Sequence, residues 1–211
     1  MHVAEQHLWL HPCRAAYWVE ERALLLADLH LGKATHFQRS GISVPVDVSY
    51  ENWDRLIAVL LDFRPDRVLI LGDLFHSEYN ADWEDFSALT HQFSEVSFEL
   101  IKGNHDILSE QAYQAAQLTL HEEPLEIGGW LLSHHPMEDV PEGQYNLAGH
   151  IHPGVVLSGS GRQRMRLPCF WFGERQGLLP AFGAFTGTSN VQPKAGDQVF
   201  VLAQEQVVPV F

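Results

Sequence analysis

Short apolar runs bounded by polar breaks punctuate the first half of the chain, and their spacing alternates between two periods. Ala15–Val19 and Ala23–Ala27 are apolar with Glu20-Glu21-Arg22 between them, which predicts a β-hairpin whose second strand ends at Asp28. From Tyr50 to Phe63 the apolar positions Trp53, Leu56, Ile57, Leu60 and Leu61 recur at helical spacing. Arg67–Leu71 reads as a buried strand that runs into Gly72-Asp73. Ala81–Phe93 follows as a helix with an acidic outer face, Val96–Ile101 as a strand ending at Gly103-Asn104, and Ser109–Ala116 as a further helix. After about residue 118 the rhythm changes. Leu125–Ile127, Trp130–Leu132, Tyr145–Ala148, Val155–Leu157, Met165–Trp171 and Val199–Ala203 are short strand-like runs, most of them separated by turn residues. Strand–helix alternation followed by a strand-rich half predicts an α/β chain in which two sheets pack on each other with helices outside. No repeat, low-complexity tract or linker interrupts the pattern, so residues 1–211 are expected to form a single domain.

Composition narrows the class without naming the chemistry. A chain of 211 residues buries roughly 70% of its unfolded surface and needs no covalent staple. With 45% hydrophobic and 19% charged residues, disorder is not expected. Cys13 and Cys169 lie far apart in apolar surroundings and read as reduced thiols. The opening MHVAEQHLWLHPCRAAYWVEE has no basic start followed by an apolar run, and no stretch approaches the ~18 apolar residues of a membrane span. A cytoplasmic protein without membrane association is the expectation. Two numbers stand out: 13 histidines and a formal charge of −14. A metal site would use several of the histidines and offset part of the charge. The acidity weighs against broad nonspecific nucleic-acid binding, which depends on neutralising phosphates.

Five segments place metal-binding side chains just after a predicted strand: Asp28-Leu29-His30, Gly72-Asp73, Gly103-Asn104-His105-Asp106, Ser133-His134-His135 and Gly149-His150-Ile151-His152. Taken singly, each has a plainer reading. Gly-Asp is ordinary turn chemistry, and Asn104 would serve as a helix cap. All five in this order, each behind an apolar strand, point instead to side chains converging on one sheet edge. Carboxylate, imidazole and amide donors with no thiolate suit Mn²⁺ first, with Fe and Zn²⁺ admitted by the same set. The set is too rich for one four-coordinate structural zinc and fits two metals roughly 3.5–4 Å apart clamping a phosphoryl group.

In this order, D-x-H, G-D, G-N-H-D, H and G-H-x-H resemble the calcineurin-like metallophosphoesterase superfamily, from Asp28 to about Asn190. The resemblance implies a four-layer α/β/β/α sandwich of two mixed sheets with a dinuclear site at the sheet edge. It implies that Asp28, His30 and His152 hold one metal, that Asn104, His134 and His150 hold the other, and that Asp73 bridges both. His105 would protonate the leaving oxygen, Asp106 would orient His105, and a water shared by the metals would supply the hydroxide nucleophile. Of the adjacent pair, His134 is taken as the ligand because it comes directly off the strand two before Pro136. The role of His135 is left open among a supporting group, a structural one and a further ligand.

A narrower likeness lies in Asp28-Leu29-His30-Leu31-Gly32-Lys33, His36-Phe37, Ser40–Pro45, Gly72-Asp73-Leu74-Phe75-His76 and Phe185-Thr186-Gly187. These resemble the PdeM family of ligase-associated DNA-damage-response phosphoesterases. That resemblance implies an Mn²⁺-dependent phosphodiesterase and DNA endonuclease, with single-stranded DNA as substrate and a DNA-repair ligase or helicase as partner. Cations and aromatics near the metals would serve such a substrate. The candidates are Lys33, Arg39, His76, Arg162, Arg164 and Arg166, the three last sharing one face of a strand just before Phe170-Trp171-Phe172. A solvated strand face over an aromatic core strand is the plainer reading of that segment. Two rival functions remain: a phosphohydrolase for a nucleotide diester, cyclic nucleotide or nucleoside-diphosphate lipid, and a non-catalytic scaffold on the same fold.

Overall fold

The computed structural model describes residues 1–33, 47–76, 79–159, 161 and 163–211. Seven strands form the first sheet in chain order: β1 (His2–Val3), β2 (Gln6–His11), β3 (Ala15–Trp18), β4 (Ala23–Leu26), β5 (Arg67–Leu71), β6 (Ser97–Ile101) and β7 (Leu118–His121). The first three pairings are antiparallel and the last three parallel. Parallel neighbours need long crossovers. Two of the crossovers carry the helices α1 (Asp47–Phe63) and α2 (Ala81–Gln92), and α3 (Glu110–Ala115) precedes β7.

The second sheet contains β8 (Leu125–Ile127), β9 (Trp130–Ser133), β10 (Tyr145–Ala148), β11 (Pro153–Ser158), β12 (Arg164–Phe172), β13 (Gln176–Leu178) and β14 (Ser189–Asn190). Their order across the sheet is β14-β11-β12-β13-β10-β9-β8, and β15 (Gln198–Ala203) and β16 (Gln206–Pro209) extend from β12. β9, β10 and β13 run parallel, while β8 and β12 flank them antiparallel. Both sheets are therefore mixed.

Side-chain alternation builds two cores from one set of strands. Leu24, Leu26, Val68, Ile70, Phe98 and Leu100 share a cluster with Leu56, Val59, Leu60, Trp83, Phe86 and Tyr113 of the helices. Their strand neighbours Ala23, Leu25, Leu69, Leu71 and Ile101 join Trp130, Leu132, Leu147, Phe170 and Phe172 of the second sheet. Continuous apolar strands such as Ala-Leu-Leu-Leu make sense only in this two-sided burial. Each large buried side chain contributes about 1.5–3 kcal/mol. α2 starts where the Asn80 side chain accepts from Asp82 N at 2.9 Å, a cap that satisfies one helix-end donor.

Two mixed sheets packed face to face with helices outside are the expected fold class, and all three described helices bury residues on the first sheet. Strands absent from the sequence reading are short or half-exposed. β2 buries Leu8 but leaves Trp9 58% exposed, and β13 contains only three residues. No described helix is long and apolar enough to cross a membrane. The fold's consequence for chemistry is directional: parallel β4, β5 and β6 end together, and β9 and β10 of the facing sheet end against them, since Asp28 follows β4 and accepts from His150 N after β10.

Candidate metal centre

Each loop at this edge is pinned to the next through its backbone. Asp28 N donates to Gly72 O at 3.1 Å, His30 N to Asp73 O at 2.9 Å, and Gly149 N to His134 O at 3.1 Å. His105 N donates to Asp73 Oδ1, and His150 N to Asp28 Oδ2, both at 2.9 Å. The glycines before the donors leave room for neighbouring donors. A Cβ on Gly72, which sits at φ +75°, would lie 2.2 Å from His134 Nδ1, and one on Gly149 would lie 2.7 Å from Leu71 O and 2.9 Å from Asp28 Oδ2.

Five of the seven proposed ligands have left-handed backbones: Asp28 at φ 54°, His30 at 48°, Asp73 at 51°, His150 at 64° and His152 at 52°. Such conformations cost non-glycine residues roughly 1–3 kcal/mol each and persist where surrounding structure and function hold them. Here they turn the side chains out of the strand ends and toward one another.

The side chains form two groups joined by Asp73. In the first, His30 Nε2 and His152 Nε2 are 3.4 Å apart, and His152 Nε2 is 3.4 Å from Asp28 Oδ1. In the second, His134 Nε2 is 3.0 Å from Asn104 Oδ1 and 3.1 Å from His150 Nδ1. Asp73 turns Oδ2 to His30 Nε2 at 3.8 Å and Oδ1 to His134 Nε2 at 3.5 Å. Two donors about 2.1 Å from one cation stand about 3.0 Å apart at right angles and about 3.4 Å apart in a tetrahedron. The spacings within each group match those values.

Hydrogen-bond accounting points the same way. His134 donates Nδ1–H to the Leu71 carbonyl at 3.1 Å, which frees its Nε2 to offer a lone pair on the side of the Asn104 oxygen, 3.0 Å away. A divalent cation placed there would accept both the nitrogen and the oxygen. Asp28 Oδ1 is buried and has no hydrogen-bond partner among the described residues. Burial drives the His30 pKa down to about 2, with Lys33 and the neighbouring imidazoles adding to it, and His150 is lowered by burial and by His134 and His135. Neutral imidazoles with outward lone pairs are the form that ligates metals. The residues fit divalent cations.

Around this nucleus the other expected residues take distinct places. His105 Nε2 stands 4.0 Å from Asp73 Oδ2, with its ring half-exposed and 4.1 Å from that of His76. Asp106 does not carry the orienting role expected of it. Its carboxylate accepts from Asp73 N at 2.8 Å, Gly103 N at 2.9 Å and Phe75 N at 3.2 Å, so it ties two metal loops together instead of gripping the His105 ring. Burial raises its pKa to about 7 against the pull of those three donors. Lys33 belongs to the Asp28–His30 loop, and burial lowers its pKa while Asp73 and Asp28 oppose the shift. It lines a shallow cleft of only about 10 Å³ with His30, Trp53, Phe185 and Thr186.

Arg164 and Arg166 are exposed on β12, opposite Ser158 and Val156 of β11, the strand that leaves directly from His152. Arg166 donates to the Thr188 carbonyl at 3.3 Å. The aromatics beyond them are not a stacking platform: Phe170 and Phe172 fill the core between the sheets, and half-buried Trp171 donates to Asp197. Arg39 and Arg162 lie outside the described residues, as do His36-Phe37 and Ser40–Pro45.

Three supporting features carried no sequence signal. Glu123 accepts the backbone N–H groups of His134 and His135 at 2.7 and 3.0 Å. Arg14 donates to the Ala181 and Gly183 carbonyls, and Arg55 to Phe182. The segment they hold donates from Phe182 N and Gly183 N to Ala27 O and Asp28 O, bracing the first metal loop from behind. These are contacts to backbone across long sequence separations, and no local motif announces them.

Comparison with known proteins agrees with this geometry. The crystal structure of Pseudomonas putida nuclease MPE matches over 100% of this chain and 98% of that one, with 30% identity and a TM-score of 0.84. A phosphoesterase from E. coli, YfcE, matches over 89% of this chain and 97% of its own at 14% identity and a TM-score of 0.45, too distant to bear on activity. Comparison with curated protein sequences returns no match. Residues 21–152, which carry every loop of the donor set, match the model of the calcineurin-like phosphoesterases, and the chain belongs to that family.

Proposed function

We propose that the protein is a dinuclear-metal phosphodiesterase that cuts DNA internally, with Mn²⁺ as the working cation and single-stranded DNA as substrate. The observation that carries the metal-dependent part is the convergence of seven donors in two groups around Asp73, with lone pairs facing each other at 3.0–3.4 Å. The nucleic-acid part is supported by the likeness to a nuclease at 30% identity over full length. When bound, the two cations supply a hydroxide nucleophile near neutral pH and offset the charge on the phosphoryl oxygens.

This chain's own residues do the rest. Asp28, His30 and His152 would hold one cation and Asn104, His134 and His150 the other, with Asp73 available to both. Asp106 fixes the Asp73 and Gly103 loops through their N–H groups. His105, anchored through its backbone to Asp73 and with its ring open to solvent, delivers the proton to the departing oxygen. Lys33 meets a flanking phosphate beside His30, and Arg164 and Arg166 meet the chain farther out along the β11–β12 hairpin. His76, packed against His105, buttresses the acid. A role in cytoplasmic DNA repair beside a ligase or helicase belongs to the same proposal.

Incubation of purified protein with Mn²⁺ and circular single-stranded DNA tests it. Linear products are expected, and none from Asp73→Ala. Intact circles alongside efficient turnover of small nucleotide diesters would move the assignment to the small-molecule reading, which the −14 charge favours. His105→Ala should lose most diester cleavage while hydrolysing an activated nitrophenyl ester far better. Equal loss on both substrates would remove His105 from the acid role.

A further inference from the structure

Adjacent residues leaving a strand ordinarily point apart, yet the rings of His134 and His135 both turn toward His150. Their centroids lie 4.8 and 4.4 Å from that of His150, and 4.6 Å from each other. One nitrogen from each of the three falls within 4.8 Å of the other two. The cause is Glu123. One oxygen of its carboxylate accepts both backbone N–H groups, at 2.7 and 3.0 Å, and the other meets His135 Nδ1 at 2.8 Å. Ser133 Oγ closes the turn by donating to the His135 carbonyl at 2.7 Å.

We propose that His135 is a further donor to the cation held by Asn104, His134 and His150, presented to it by Glu123. The proposal rests on the two-cation reading above and adds a ligand to one half of it. A carboxylate that takes the Nδ1–H of an imidazole fixes the tautomer, leaves the lone pair on Nε2 and makes that nitrogen more basic. His134 is prepared in the same way, with the Leu71 carbonyl in the carboxylate's place. The second group then offers three imidazole nitrogens where the first offers two. Imidazole-rich sites favour Zn²⁺ and Co²⁺ over Mn²⁺ more than carboxylate-rich ones do. The two halves of the centre thus differ in cation preference.

Calorimetric titration of metal-free protein with Co²⁺, followed in parallel by visible absorption, tests this without reference to turnover. Wild type is expected to take up two equivalents. His135→Ala should keep the first affinity, weaken the second at least about tenfold and alter the spectrum of the second equivalent alone, and Glu123→Gln should give the same pattern with a smaller loss. His135 is exposed, so its removal leaves the core intact, and added imidazole should restore part of the second affinity. A second equivalent bound by His135→Ala with wild-type affinity and spectrum would overturn the proposal. A wild-type protein that itself takes up fewer than two equivalents would overturn the two-cation reading and this proposal with it.

Discussion

Among the described residues, a histidine–carboxylate cluster on the first sheet and the one at the sheet edge are built to opposite rules. On β5, β6 and β7, Glu99 accepts from Arg67 Nε and Nη2 at 2.8 and 2.7 Å and meets His121 Nε2 at 2.8 Å. These residues sit on regular strands, and every carboxylate oxygen has a cationic or N–H partner. At the sheet edge the same residue types stand with acceptor facing acceptor, Asp28 Oδ1 buried without a hydrogen bond, and five backbones in the left-handed region. The first cluster is complete as it stands. The second leaves Asp28 Oδ1 and its facing imidazoles arranged as divalent cations would use them. A count of histidines and acids does not separate the two; backbone conformation and the direction of lone pairs do.

The sharpest way to break that contrast is to remove the group joining the two halves of the edge. Asp73→Ala should lower Mn²⁺-dependent hydrolysis of a phosphodiester by at least about 10³-fold, while thermal unfolding without metal changes little. Activity within tenfold of wild type would mean that Asp73 spans nothing. Next in size is the structural cluster. Arg67→Ala strands Glu99 in a mostly buried position and should cost about 2 kcal/mol in denaturant unfolding, with metal uptake unchanged. Loss of metal uptake in that variant would show that the two clusters are coupled.

Smaller effects probe the strain. Asn tolerates the left-handed region better than His, so His152→Asn should stabilise the metal-free protein by up to about 1 kcal/mol and shrink the stabilisation that added Mn²⁺ confers. A less stable metal-free variant would remove strain from the explanation. The mildest test uses pH. Burial alone would raise the Glu99 pKa, but its bonds to Arg67 and His121 outweigh burial and hold it below the ordinary glutamate value of 4.5. A lowered pKa in the fold stabilises it above that value and ceases to do so as pH falls through the folded-state pKa. The melting temperature of metal-free wild type should therefore drop more steeply below about pH 4.5 than that of Glu99→Gln. Parallel curves would remove this contribution.

Much of the edge could be read from residues alone, because each donor pair follows an apolar strand and most follow a glycine that a neighbour's side chain crowds. β5 begins and ends at the residues its apolar run marks, and α3 fills the expected Ser109–Ala116 segment, whose two end residues are its caps. What stayed hidden acts through backbone. Asp106 holds three N–H groups on two loops, and a spacing that puts it next to His105 suggests a different partner. Glu123 works eleven and twelve positions ahead of itself, and Arg14 reaches across 167 residues. Phe170 and Phe172 decide between the two readings offered for their segment in favour of the plainer one, an aromatic core strand, since both are buried between the sheets.

The most direct measurement is the anomalous diffraction of crystals soaked in Mn²⁺. Two peaks are expected, one among Asp28, His30 and His152 and one among Asn104, His134 and His150, with the Asp73 carboxylate between them. A single peak, or two that do not share Asp73, would contradict the dinuclear centre.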